Sequence, residues 1–213
     1  RIEDGVYYVG SINAGMIYPN ARLKLAVSHK IIRSIMEWKP DVVHSQCEFS
    51  TFFIARHIAY DCKIPLIHTY HTVYEDYTHY FSPNQKMGKM ITKVLSKQIL
   101  TDTQAVIVPS EKIKSMLTGY GVDRPIYVIP SGIDVDQYLS PESERRSKLR
   151  ESLGIAPSEC ILLYVGRLAK EKNIEELFAF LKNTDSTQRM LIVGDGPYRR
   201  ELEHIAKQEG VWE

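Results

Sequence analysis

Between residues 41 and 129, short runs rich in Val and Ile alternate with stretches of helical periodicity, and that alternation admits few folds. Residues 41–44, 64–69, 105–108 and 126–129 read as strands, the first (Asp41-Val42-Val43-His44) as a buried one. A helix capped by Ser50 carries Phe53, Ile54, Ile58 and Ala59; further helices fit 85–101 and 110–117. Ahead of this series, 6–9 is an extended run, and Leu23, Val27, Ile31, Ile35 and Trp38 mark a helix that Pro40 ends. A polar, Tyr-rich loop spans 71–82. Strand–helix–strand at this spacing calls for right-handed parallel crossovers, hence a doubly wound α/β sheet.

The pattern breaks at Pro130 and resumes at Ile161. Residues 131–159 are rich in Gly, Ser, Pro and mixed charge, with one short helix expected at 142–152. Then come a strand at 161–165, a helix at 173–181, a strand at 190–193 and a helix at 197–207. The expected layout is a Rossmann-like domain over 1–135, an interdomain connection over 136–159, and the start of a second Rossmann-like domain over 160–213. Two β–α units are about half of what such a domain needs. The chain also opens on Arg1, so both domains are expected to be truncated and the chain to be a fragment.

Composition narrows the function classes. With 213 residues, 44% hydrophobic and 25% charged, the chain has material for a core and is not a disordered one. A net charge of +1 gives no global reason to expect nucleic acid. No apolar run approaches the ~20 residues of a membrane span, and nothing at the start reads as a signal peptide, so a cytoplasmic location is expected. Cys47, Cys62 and Cys160 form no C-x-x-C, which argues against a disulfide framework or a zinc site.

Three segments hold candidate chemistry. In Val165-Gly166-Arg167-Leu168-Ala169-Lys170-Glu171-Lys172-Asn173 a strand ends at a glycine that lets a ligand approach the backbone. Arg167 and Lys172 then present cations before a helix that Asn173 can cap, the makings of a phosphate site; a solvated loop fits equally well. Val193-Gly194-Asp195-Gly196-Pro197 begins like a dinucleotide fingerprint but has Arg199 at the third glycine position, which leaves a tight turn. Residues 69–77 (Thr-Tyr-His-Thr-Val-Tyr-Glu-Asp-Tyr) follow a strand's carboxyl end, where open α/β sheets bind ligands. His68 and His71 point to opposite faces of an extended chain, so no metal is expected there. Glu75 and Asp76 are adjacent and diverge, unlike the paired carboxylates of a glycosidase. His44 is either a satisfied buried histidine or part of the same lining. No G-x-S-x-G or P-loop occurs.

Together, Val165-Gly166-Arg167-Leu168 with Glu171-Lys172-Asn173, Gly194-Asp195-Gly196-Pro197, Pro109-Ser110-Glu111 and Ile129-Pro130-Ser131-Gly132-Ile133-Asp134 resemble the retaining glycosyltransferases of the two-Rossmann-domain (GT-B) fold. Residues 64–72 followed by Tyr74-Glu75-Asp76-Tyr77 resemble its bacterial diacylglycerol α-glucosyltransferase branch. The resemblance implies that the amino-terminal domain takes the acceptor, the carboxy-terminal domain takes a nucleotide sugar such as UDP-glucose, and the reaction occurs in the cleft between them. Arg167 and Lys172 would grip the donor diphosphate, with Gly166, Gly194, Gly196 and Gly132 also on the donor side. His71 would face the transferring sugar as the catalytic residue. His44, Glu48, Tyr74 and Tyr77 would belong to the acceptor side. No metal or further cofactor is implied. Retention would follow from same-face attack with the departing diphosphate as base.

The family's amino-terminal strand and Gly-rich loop are not found ahead of Arg1, and its Glu-x7-Glu region would lie beyond Glu213, so this chain alone is expected to be inactive. A nucleotide-sugar epimerase shares the fold, and a nucleotide-sugar-binding module without turnover stays open as another class. Residues 85–101 add a membrane surface. Lys86, Lys89, Lys93 and Lys97 fall within an arc of roughly 80°, Met87, Met90, Ile91, Val94, Leu95 and Ile99 fill the adjoining half, and no acidic residue intervenes. Such a helix can lie on anionic lipid and bring a lipid acceptor to a protein peripheral on the inner face of the cell membrane; a core-packed helix with a solvated lysine face is the alternative.

Overall fold

The computed structural model describes residues 2–3, 5–13, 22–23, 29–80, 82, 84–139, 143–184 and 188–212. Its contacts divide the chain into two units, Arg1–Gly132 and Ile133–Glu213.

The first unit opens with two small antiparallel pairs, β1 (Ile2–Glu3) with β2 (Val6–Tyr7) and β3 (Ile12–Asn13) with β4 (Arg22–Leu23). Then come α1 (His29–Glu37), β5 (Val43–Ser45), α2 (Ser50–Cys62), β6 (Leu66–Thr69), a 3₁₀ turn (Tyr74–Tyr80), α3 (Gln85–Thr101), β7 (Ala105–Val108), α4 (Glu111–Gly119) and β8 (Ile126–Val128). The four strands β5-β6-β7-β8 pair in sequence order, all parallel. Their carboxyl ends therefore share one edge, which collects Gln46–Glu48, Tyr70–Tyr74 and the residues after β7 and β8.

Burial explains the order. Val106 and Val108 of β7, Leu100 of α3, and Ile113 and Leu117 of α4 close into one core with Tyr70, Tyr120 and Val122. Phe52, Ala55 and Ala59 on one side of α2 cover Leu66 of β6. Asn84 caps α3, its side chain accepting from the N–H groups of Lys86 and Met87 at 3.0 and 3.2 Å.

In the second unit, α5 (Asp136–Leu139) and α6 (Ser143–Ser152) lead to β9 (Cys160–Val165), a 3₁₀ turn (Lys170–Lys172), α7 (Glu175–Lys182), β10 (Gln188–Val193) and α8 (Arg199–Gln208). β9 and β10 are parallel and paired from Cys160 with Gln188 to Val165 with Val193. Leu168, Ile174, Phe178, Leu202 and Ala206 form their core with α7 and α8.

The parallel α/β architecture is the expected one, and several local expectations are corrected. Leu23 belongs to β4, where its register partner is Ile12, so the helix before Pro40 has its described part at His29–Glu37; Val27 lies outside the described residues. The strand expected at 41–44 is Val43–Ser45, the first of its sheet among the described residues, and His44 on it is exposed where a buried strand was expected. Phe49, not Ser50, is the N-cap of α2, and no side chain caps it. Much of the expected loop after His71 winds into the 3₁₀ turn.

Candidate functional site

The carboxyl edge of the first sheet gathers four of the singled-out residues. Register sets Ser45 opposite His68 and His44 opposite Ile67, and the pleat sends Leu66 and His68 inward. Three histidines then take three directions. His44 Nε2 lies 2.6 Å from Thr69 Oγ1. Partial burial, and then the nearby His68 and His71, hold its pKa below the usual histidine value. His71 sits exposed past the end of β6, its Nε2 3.2 Å from Gln46 Oε1. His68 is fully buried edge-on against Phe52, with Nδ1 2.7 Å from Ser45 Oγ and Nε2 3.3 Å from Glu48 Oε1.

Glu48 is buried too, and its second carboxylate oxygen accepts the Tyr74 hydroxyl. Tyr74 is held edge-on between Phe49 and Tyr70, at ring separations of 5.8 and 5.9 Å. Burial first, and then the Glu48 carboxylate, push the Tyr74 pKa up, so its phenol stays a donor. Burial likewise pushes Tyr70 up to about 12, opposed by its 3.0 Å bond to Ser96 Oγ. Tyr77 lies half-buried on the 3₁₀ turn. Sequence reasoning missed Ser45 and Gln46, and it placed Thr69 in a candidate segment without giving it a role. The inward direction of His68 was available from its i, i+2 spacing to Leu66; its partners depend on a long-range register.

In the second unit the two glycine-bearing loops continue the β9–β10 pairing. Gly166 N–H donates to Val193 O at 3.0 Å, Leu168 N–H to Asp195 O at 3.0 Å and Tyr198 N–H to Leu168 O at 3.1 Å. A Cβ on Gly196 would lie 2.1 Å from Leu168 O, so its glycine is required by loop packing. Gly166 is merely close, its Cβ position 3.1 Å from the Tyr164 hydroxyl, and around Gly132 nothing lies within 4 Å. Arg167 is half-buried; the Tyr164 hydroxyl donates to its carbonyl at 3.0 Å. Lys172 is exposed on a turn pinned by buried Leu168, Ala169 and Ile174. Asn173 does not cap a helix as expected: it takes a left-handed conformation at φ 50°, and Ile174 is the N-cap of α7.

α3 shows a third arrangement. Gly88, Thr92, Ser96 and Leu100 form its buried stripe, with Gly88 so close to the 3₁₀ turn that a Cβ would lie 2.8 Å from Thr78 Cβ. Met87, Met90, Ile91, Val94 and Leu95 are exposed, as are the four lysines. Lys89 Nζ is 4.0 Å from Glu75 Oε2. Among the described residues no helix is long and apolar enough to cross a membrane, and no group of three or more His, Cys, Asp and Glu could hold a metal ion. A depression of about 870 Å³, lined in part by Phe53, Arg56, Tyr60, Asp102 and Gln104, lies at the amino end of β6, away from His71.

Residues 2–137 match the family described as Glycosyltransferase Family 4, and residues 145–213 that of Glycosyl transferases group 1. The alpha-monoglucosyldiacylglycerol synthase of Streptococcus pneumoniae is 36% identical over 183 residues, covering 84% of this chain and 42% of that protein. The enzyme of the same name from Acholeplasma laidlawii is 32% identical over 207 residues, covering 90% and 52%. The Anabaena protein HepE, solved with UDP-glucose, superposes with a TM-score of 0.66 at 20% identity, covering 85% of this chain and 48% of that one. The chain thus spans about half the length of the curated relatives it matches.

Proposed function

The chain belongs to Glycosyltransferase Family 4, and from that premise we propose that the whole protein transfers a hexose from a nucleotide-diphosphate sugar, UDP-glucose, to a membrane lipid such as diacylglycerol, with retention of configuration. The observation that carries this reading is the likeness, over 84% and 90% of the chain, to two alpha-monoglucosyldiacylglycerol synthases. The nucleotide is suggested by the UDP and UDP-glucose in the structures of HepE, which shares the fold.

In this reaction the acceptor hydroxyl oxygen bonds the anomeric carbon as the sugar–phosphate bond breaks. The nucleoside diphosphate leaves with the bonding electron pair and takes the hydroxyl proton. Arg167 and Lys172 stabilise that leaving group, because charge-assisted contacts to phosphate are strongest where negative charge accumulates. Gly166, Gly194 and Gly196 hold their loop against β9, and Gly132 keeps the backbone open beside the donor. His71, exposed at a strand's carboxyl end, faces the transferring sugar. His44, Glu48, Tyr74 and Tyr77 shape the acceptor side, and α3 rests on anionic lipid so that the enzyme works as a peripheral membrane protein.

Incubation of the whole protein with labelled UDP-glucose and diacylglycerol in anionic vesicles tests the reading. A labelled glucosyl lipid is expected that mild alkali deacylates to glucosylglycerol with its glycosidic bond intact, and it should be lost in the Arg167→Ala/Lys172→Ala double variant. His71→Ala should lower kcat and kcat/KM together while leaving affinity for UDP nearly unchanged. Conversion of the donor without a lipid acceptor would overturn the assignment in favour of an epimerase.

A further inference from the structure

The buried carboxylate of Glu48 joins three segments that are distant in sequence. It accepts the Tyr74 hydroxyl at one oxygen and faces His68 Nε2 at 3.3 Å with the other, while Ser45 closes the far side of the His68 ring at 2.7 Å. With Glu48 ionised, His68 must carry its proton on Nε2, whether or not Nδ1 is also protonated. Every member is buried or nearly so: His68 is 0% exposed, Ser45 6% and Glu48 7%. Fully satisfied polar groups in such surroundings rigidify what they connect.

What they connect is the turn after β5 and the segment after β6. Gln46 precedes Glu48 by two residues, and His71 precedes Tyr74 by three. Gln46 Oε1 accepts a hydrogen bond from His71 Nε2–H at 3.2 Å, a contact between exposed side chains that has no burial of its own to hold it. We infer that Glu48 is a positioning residue: through His68 and Tyr74 it clamps the two segments, and Gln46 thereby holds His71 as the Nε2–H tautomer in one orientation. Nδ1 of His71 is then left as an acceptor. Glu48 is 7% exposed and so shapes the acceptor side through the groups it holds and not by touching substrate. The consequence for catalysis rests on the reading of His71 given above; the clamp itself does not.

The test is ¹⁵N NMR of the imidazole rings in the full chain, with His71 identified by its loss in His71→Gln. Glu48→Gln replaces one acceptor oxygen by an amide that cannot accept, and Tyr74→Phe removes one arm without adding a group. In the wild type, His71 should show a single Nε2–H tautomer. In both variants, still melting cooperatively, its two nitrogen shifts should move toward the average of a tautomer mixture. In the whole enzyme kcat should fall about 10- to 100-fold with little change in donor KM, as expected for a displaced group. An unchanged His71 pattern in a folded variant overturns the clamp; if Glu48→Gln does not fold, Tyr74→Phe decides alone. If the His71 pattern shifts while His71→Ala keeps full turnover, the clamp stands and the catalytic reading of His71 is what fails.

Discussion

Gly194 passes so close to Gly166 that a Cβ on it would lie 1.9 Å from the Gly166 carbonyl oxygen. Gly194 also takes φ 155°, which L side chains rarely adopt. The neighbouring atom is backbone, held by the Gly166 N–H bond to Val193 O, and cannot swing aside. Gly194→Ala should therefore destabilise the second unit by about 2–4 kcal/mol. At Gly166 the nearest atom is the end of the Tyr164 side chain, which can move, so Gly166→Ala should cost under about 1.5 kcal/mol. Urea denaturation of both variants distinguishes them, and equal losses would mean that close approach is not what requires Gly194.

Arg167→Ala or Lys172→Ala should weaken UDP binding far more than uridine binding. A charge-assisted contact to phosphate contributes roughly 1.5–3 kcal/mol, or about 10- to 150-fold in affinity. Calorimetric titration with both ligands checks this. Equal loss for the two would remove these cations from the diphosphate.

Much of the fold was legible because local pattern and tertiary environment agree. Residues 105–108 alternate half-buried and buried side chains, and the run of four aliphatic residues appears as β7 with its expected bounds. The misreadings have physical causes. Among the described residues β5 pairs with β6 alone and its ladder begins at Val43, two residues later than the local pattern reads; strand order is not written in that pattern. At the candidate site, His71 was visible as a polar residue past a strand. The Ser45–His68–Glu48–Tyr74 cluster was not, because it depends on register between residues 20 to 26 positions apart. Gly88 stands in the first turn of a helix, where glycine costs stability, and its close approach to Thr78 explains why nothing larger sits there.

His44 should titrate below the usual histidine value of 6.5, since burial and then His68 and His71 disfavour its charged form. The unfolded chain then binds the His44 proton more readily than the folded one. Stability from this residue is fully present above the unfolded value and is lost as pH falls through the lower, folded one. His44→Gln should flatten that part of the stability–pH curve, as read from urea midpoints between pH 7 and pH 5. A His44 midpoint at or above 6.5 by NMR would overturn the expectation.

α3 presents its apolar residues on the wrong side for a core. At about 100° per residue, Met87, Met90, Ile91 and Val94 lie across the helix from the Gly88–Thr92–Ser96–Leu100 stripe that packs inward, Leu95 borders that stripe on one flank, and the lysines line the other flank. A helix buried on its small residues and exposed on its large apolar ones suits a surface that is itself apolar within and anionic at its rim. Each lysine near such a surface contributes roughly 1 kcal/mol, and salt screens that contribution within a few ångströms at about 1 M. The protein should sediment with anionic vesicles at low salt, and high salt should weaken this. Replacing Lys86, Lys89, Lys93 and Lys97 by Gln should abolish sedimentation without lowering the melting temperature appreciably, because all four are exposed. Met90→Gln with Val94→Gln should weaken binding even at low salt, since they remove the apolar contact and leave the charge. Undiminished sedimentation of the lysine variant would rule α3 out as the lipid-binding face.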